Sequence, residues 1–278
     1  MFKRMVRIEL HRALHGAGMK FVLAVGFVLA LEHFIFRVLP EMKQMLVGHH
    51  PDLAFAGIRS FQSVWMGKIC AENNIYKVIV PLLAVIPYAG SFYTDRKRGI
   101  VKNICTRVEK KEYMAAKSTA VFISAGIAAV FPFIVSMLLT STVMPVFNYV
   151  WTIAPLNEGL FAKLSLHYPI LNYFCMMAIM FVFAGLIAGL TLSLSLYADN
   201  LFVVLSFPFL LYQISDRLML YIGNVVGSAF IARLQLYHVF SIDQSAPTGT
   251  GQIAVLSAIL IIAGYLTFII KGAKKDVL

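Results

Sequence analysis

The sequence predicts an all-α integral membrane protein, and three observations carry that reading. Hydrophobic residues make up 60% of the 278-residue chain and charged residues only 13%, about half the charged fraction of a typical globular protein. The apolar residues gather into runs of roughly 20, the length a helix needs to cross a hydrocarbon layer of ~30 Å. The net charge of +11 is concentrated beside those runs rather than spread over a surface, so it reads as a topology signal and not as a nucleic-acid footprint.

Six runs qualify as spans: about 18–39, 75–93, 118–142, 171–197, 201–222 and 251–271. Before the first, residues 1–17 form an amphipathic helix. At 100° per residue Phe2, Met5, Val6, Ala13 and Ala17 share one face, and Lys3, Arg4, Arg7, His11 and His15 share the other. Such a helix is expected in the membrane interface, its basic face toward anionic lipid. The charged stretch before the first run is long and no A-x-A cleavage pattern follows, so the first span is expected to be retained. Ala198-Asp199-Asn200 is a tight turn between antiparallel fourth and fifth spans. Pro208 predicts a kink in the fifth.

Orientation follows from the cations. The N-terminal arm holds Lys3, Arg4, Arg7, Arg12 and, at the very start of the first span, Lys20; eight more lie in residues 94–117, and Lys271, Lys274 and Lys275 close the chain, together 16 of 24. The positive-inside rule then places both termini and the 94–117 loop in the cytoplasm. The connections at 40–74, 143–170 and 223–250 fall outside. Leu53–Ile69 and Gly227–Phe240 mix aromatic and apolar residues with single cations, which suits short re-entrant or surface helices, with Trp65 and Tyr237 in an interfacial belt.

The basic loop, Thr94–Lys117, has more internal order than retention requires. Ile100, Val101, Ile104 and Cys105 form a short apolar stripe ringed by Arg96, Lys97, Arg98 and Lys102, with Gly99 as a hinge. Thr106-Arg-Val-Glu109 matches a capping box, which predicts a helix from about Arg107 into the third span. The pattern is that of a docking element for a partner protein.

The block VIVPLLAVIPYAGSFYTDRKRGIVKNICTRVEKKEYMAAKSTAVFISAG, Val78–Gly126, resembles the second span, cytoplasmic loop and third span of ABC-2-type permeases, the membrane subunits of bacterial ABC transporters. Pro81, Pro87, Asp95, the Arg96–Gly99 basic cluster, Arg107, Tyr113 and Lys117 carry the resemblance, with Trp65 and His167-Tyr168-Pro169 in loose support. The resemblance implies a coupling helix at about Asp95–Cys105 that fits a groove in a cytosolic ATPase. Asp95, Arg96, Lys97, Arg98, Gly99, Ile100, Val101 and Ile104 would form the ATPase contact. It also implies a second permease copy, a bacterial cell membrane, and export of a peptide, antibiotic or lipid-like substrate. This chain has no G-x-x-x-x-G-K-[ST] stretch, so ATP and Mg would be bound by the partner ATPase and no cofactor by the chain itself.

Other candidates lie within the spans. Gly185 and Gly189 form a G-x-x-x-G pair that would permit close helix approach in a dimer. Charges at membrane depth are costly and so point to function. Glu32, with His33 and Arg37 nearby, lies in the outer half of the first span, and Tyr212, Gln213 and Asp216 lie toward the outer end of the fifth. The resemblance implies that the second and fifth spans line a central substrate path. His49-His50 and the three cysteines, Cys70, Cys105 and Cys175, have no metal-ligand spacing, and no protease or nucleotide motif marks an enzyme. Two alternatives to an ABC permease remain at this stage: a secondary transporter or channel, and a non-transporting immunity or signalling protein.

Overall fold

The computed structural model describes residues 2–47, 65, 74–144, 168–240 and 249–274. Every element among them is helical. The amphipathic helix α1 (Phe2–His15) ends at Gly16, whose extended backbone turns the chain into α2 (Ala17–His33). A π-helical turn, Phe34–Val38, carries α2 into α3 (Leu39–Val47). Wide turns of this kind interrupt α-helical hydrogen bonding locally, and this one is flanked by the polar residues of the first span. His33 is buried there and shares a 2.9 Å hydrogen bond with Ser136 of the Lys110–Val143 helix.

The expected second span is not one helix. α4 (Asn74–Val85) gives way to a turned stretch over 86–90 before α5 (Ser91–Lys97) begins. Pro87 lacks an N–H and crowds the carbonyl four residues earlier, which accounts for the break within a run that hydropathy alone reads as continuous. α6 (Ile100–Cys105) follows α5 through Gly99, whose φ of 71° is the left-handed conformation that glycine adopts without a side-chain clash.

α7 (Lys110–Val143) is 34 residues long, about 51 Å at 1.5 Å per residue, so it overreaches a ~30 Å hydrocarbon layer by several turns. The expected extension of the third span is thus present. The expected capping box is not: the helix begins at Lys110 with Glu109 as its N-cap and no side-chain cap. Thr106 Oγ1 donates instead to the Asn103 carbonyl at 2.9 Å, because the chain is still finishing α6 there.

α8 (Pro169–Leu194) and α9 (Leu201–Val226) are joined by the expected tight turn, and the Asn200 side chain accepts a hydrogen bond from Phe202 N at 2.9 Å. α9 runs through Pro208 as a single helix. The chain then folds back through α10 (Ala229–Ala232) and α11 (Leu236–Val239). α12 (Thr250–Leu260), a second π-helical turn at Ile261–Leu266, and α13 (Thr267–Lys274) form the last rod.

Five helices among the described residues are long and apolar enough to cross a membrane: Ala17–Lys43, Lys110–Val143, Ile170–Leu194, Leu201–Val226 and Thr250–Ala273; Ile75–Val85 is apolar but shorter. The protein is therefore an all-α, multi-pass membrane protein. Lipid is as apolar as a leucine side chain, so helices in it associate through close packing rather than water exclusion. α8 shows how. Gly126 and Gly185 sit against the rings of Phe181 and Phe122, and Gly189 against Tyr265; an added Cβ at any of them would lie 2.4–2.5 Å from a ring carbon. The Tyr265 hydroxyl donates to the Gly185 carbonyl. Gly185 and Gly189 are thus filled by α7 and the last rod of the same chain, which withdraws them as a dimer contact.

Trp65 is also not an interfacial belt residue. It is fully buried and packs edge-on against Tyr173, ring centroids 5.3 Å apart. The rest of the 48–73 connection, His49-His50 and Cys70 included, and most of the 143–170 connection lie outside the described residues, as does the Tyr237 side chain.

Candidate functional site

Three contacts gather the basic parts of the chain at one end of the bundle. Gly18 lets the start of α2 approach the 86–90 turn, where a Cβ would lie 2.8 Å from the Ile86 carbonyl. The Arg96 guanidinium donates to the carbonyls of Leu196 and Ala198, both at 2.8 Å. Gly272 packs against Met114 and Leu196. This basic end holds α1, α5, α6, the first turns of α7 and the α8–α9 turn.

At its centre is a cluster of four charges, with Glu9, Asp95 and Lys117 buried and Arg12 reaching in from the surface, its side chain 39% exposed. α1 lies along α7 and turns Glu9, 1% exposed, into the contact. Lys117 of α7 is fully buried and has three donors, each with an acceptor: Asp95 Oδ2 at 2.5 Å, Glu9 Oε2 at 3.0 Å and the Tyr88 hydroxyl at 3.3 Å. Arg12 closes the other side. It reaches Asp95 Oδ1 at 2.9 Å, Asp95 Oδ2 at 3.3 Å and Glu9 Oε1 at 3.1 Å. Tyr88 donates to Glu9 Oε2 at 2.5 Å, and Tyr113 donates to Asp95 Oδ2 at 3.3 Å.

The cluster is neutral as a whole, two carboxylates against one ammonium and one guanidinium, which is the condition under which buried charge is tolerated. Burial alone would raise the Asp95 carboxyl, but hydrogen bonds from Arg12 and Lys117 and the Lys117 charge outweigh it and hold the group below its ordinary range. Burial likewise lowers the Arg12 guanidinium, and the Asp95 hydrogen bond with the neighbouring Glu9 and Asp95 charges more than reverses that. Both groups stay ionised at neutral pH. Chemically the cluster is a clamp, a set of fixed ion pairs tying α1, α5 and α7 together. Among the described residues no group of His, Cys, Asp and Glu has the arrangement of a metal site.

The eight residues expected to contact an ATPase separate into two groups. Asp95, Arg96 and Val101 face inward: Asp95 is in the cluster, Arg96 clamps the α8–α9 turn and lies near Asp199 at 3.6 Å, and Val101 is 3% exposed in the core. They anchor the segment and do not present a docking edge. Lys97 and Arg98 are exposed, as is Lys102 beside them. Gly99 holds the turn. Ile104 is half-buried against the core and Ile100 is half-exposed, so the expected apolar stripe is largely used to seat α6 on its own chain. What it leaves outward is basic.

Glu9 and Arg12 were not among the expected site residues. The signal for Glu9 was present: it falls at 180° on the α1 wheel, between Met5 and Ala13, a lone carboxylate in the middle of the apolar face. Phe2, expected on that face, is 40% exposed because the face buries only from Met5 onward.

The expected substrate-path residues do not converge. Glu32 lies on the first rod, which packs on α7; Gln213 and Asp216 lie half-buried on α9, which packs on α4 and α8. Asp216 is 3.9 Å from its neighbour Arg217. Tyr212 is fully buried under Phe240, ring centroids 5.9 Å apart. Gly223 allows this cover, since its Cβ position is 2.5 Å from Ala232, so the chain after α9 folds back along it by about three turns. The segment after α9 caps Tyr212 rather than leaving it on an open path.

Comparison with protein-family models, with curated proteins and with solved structures finds no match to this chain.

Proposed function

We propose that the chain is the membrane permease subunit of an ATP-driven ABC-2-type transporter. It spans the membrane six times, with α4 and the turn after it as the sixth crossing. Both termini and the basic end face the cytoplasm of a bacterial cell. It works as a dimer with a second permease copy and exports a peptide, antibiotic or lipid-like substrate. ATP and Mg are bound by a separate cytosolic ATPase, and this chain is not itself an enzyme.

One observation carries the reading. The α5–α6 segment is fixed to the long helix α7 through Asp95–Lys117 and to α1 through Asp95–Arg12, while Lys97, Arg98 and Lys102 remain exposed on it. A segment built this way transmits a push at its outer edge to the membrane helices without flexing, which is what coupling to an ATPase requires. A retention signal needs only the charges. The Ile100 and Ile104 contact gives way here to the basic edge.

Purification in mild detergent from the native membrane tests this. A Walker-A ATPase should come with the chain and its ATP turnover should depend on it. Lys97→Glu with Lys102→Glu should reduce the ATPase recovered about tenfold while insertion is unchanged, since charge reversal at a contact acts through repulsion as well as lost attraction. A chain that purifies alone and carries ion-dependent flux in vesicles would overturn the proposal.

A further inference from the structure

We propose that the elbow between α1 and α2 is a binding site for a phosphate-bearing anion, presented there by the headgroup of an anionic lipid. A cleft of about 670 Å³ opens at this elbow, between Arg12, His15 and Gly16 on one side and Tyr88, Ser91 and Arg98 on the other. It lies where α1 ends and the candidate span Ala17–Lys43 begins, and the end of a span is where lipid phosphates lie.

Four features suit the cleft to an anion. Arg12 uses three of its five donors on Glu9 and Asp95, leaving two for a ligand. Arg98 is exposed on the wall, and no carboxylate pairs with it among the described residues. Glu9 and Asp95 are already balanced by Arg12 and Lys117, so Arg98 is the uncompensated charge. α2, 17 residues long, begins at Ala17 after an N-cap, Gly16, that supplies no side-chain hydrogen bond, and Ala17 and Gly18 line the cleft; the first backbone N–H groups of a helix are donors without partners and carry its positive dipole end. Finally, Ser91 Oγ is buried on the same wall and has no hydrogen-bond partner. Asp95 also lines the cleft, but both its oxygens are engaged by Arg12, Lys117 and Tyr113. His11 and His15 stack at the rim, ring centroids 4.1 Å apart, and offer ring N–H donors there.

The site is independent of any transport activity and requires only that the chain spans a membrane. Its test is native mass spectrometry of delipidated protein titrated with phosphatidylglycerol, with phosphatidylcholine, and with inorganic phosphate as competitor. Phosphatidylglycerol should bind at least about tenfold more tightly than phosphatidylcholine, and Arg98→Gln or Ser91→Ala should weaken it about tenfold, the effect of one charge-assisted hydrogen bond. Lys97→Gln removes the same charge one residue away, outside this cleft, and should leave binding unchanged. Displacement of the lipid by millimolar phosphate would keep the site and name a soluble phosphate as its ligand. Equal binding of the two lipids, or equal losses in the Arg98 and Lys97 variants, would overturn the proposal.

Discussion

Replacing Lys117 with Met keeps the volume of the side chain and removes its charge, so it isolates the electrostatics of the clamp. Lys117 is 2.5 Å from Asp95 and 3.0 Å from Glu9, at full burial. At an effective dielectric of about 20 each attraction is worth several kcal/mol, and desolvating the ions costs about as much. The intact cluster is therefore near break-even. The variant is not, because Glu9 and Asp95 would face Arg12 alone, with one buried negative charge uncompensated. Breaking a buried pair in this way costs about 3–5 kcal/mol. Glu9→Gln combined with Lys117→Met restores neutrality through the Arg12–Asp95 pair and should recover most of that loss. The assay is thermal or denaturant unfolding in detergent for the wild type, both single variants and the double. Single-variant losses that add in the double variant to within about 0.5 kcal/mol would show that the two residues do not interact and refute the clamp.

The remaining predictions follow from the same contacts. Asp95 is held below its ordinary value of 3.8, so the native state binds this proton more weakly than the unfolded state does. Its stabilisation is complete above about pH 5 and is lost as pH falls through the depressed value; in Asp95→Asn, acid unfolding should lose the part of its pH dependence that this group supplies. Arg96→Gln removes two hydrogen bonds from a charged donor and should cost about 1.5–3 kcal/mol, with faster amide exchange across residues 195–200. Gly189→Ala places a methyl against the Tyr265 ring and should destabilise by about 1–3 kcal/mol through overpacking, without changing the mass measured by light scattering. Gly99→Ala meets no neighbour but strains the left-handed backbone by about 1–2 kcal/mol, and should loosen α5 against α6 before it affects the spans.

Much of the architecture was legible because a membrane imposes length and polarity on each helix separately. Runs of apolar residues marked the long helices, and Ala198-Asp199-Asn200 marked their tightest turn without reference to anything distant. The second run misled because hydropathy does not register that Pro87 interrupts the hydrogen-bond ladder. The capping box misled for a related reason: Thr106 and Glu109 have the right spacing, but the end of α6 had already taken the Thr106 hydroxyl.

The sequence alone determined that this chain lives in a membrane, that its cations gather at the ends of its apolar runs, and that the segment between the second and third runs is structured. Those properties are sums over local composition. The tertiary structure decided which charges are surface and which are anchor. Asp95 and Lys117 are 22 positions apart and Glu9 is 86 before Asp95, and nothing local to any of them specifies a neutral cluster. Only the docking of α1 along α7 brings them within hydrogen-bond distance, and burial in a low-dielectric site then makes their pairing obligatory. That docking turns a run of positive charge into a fixed element with a free basic edge.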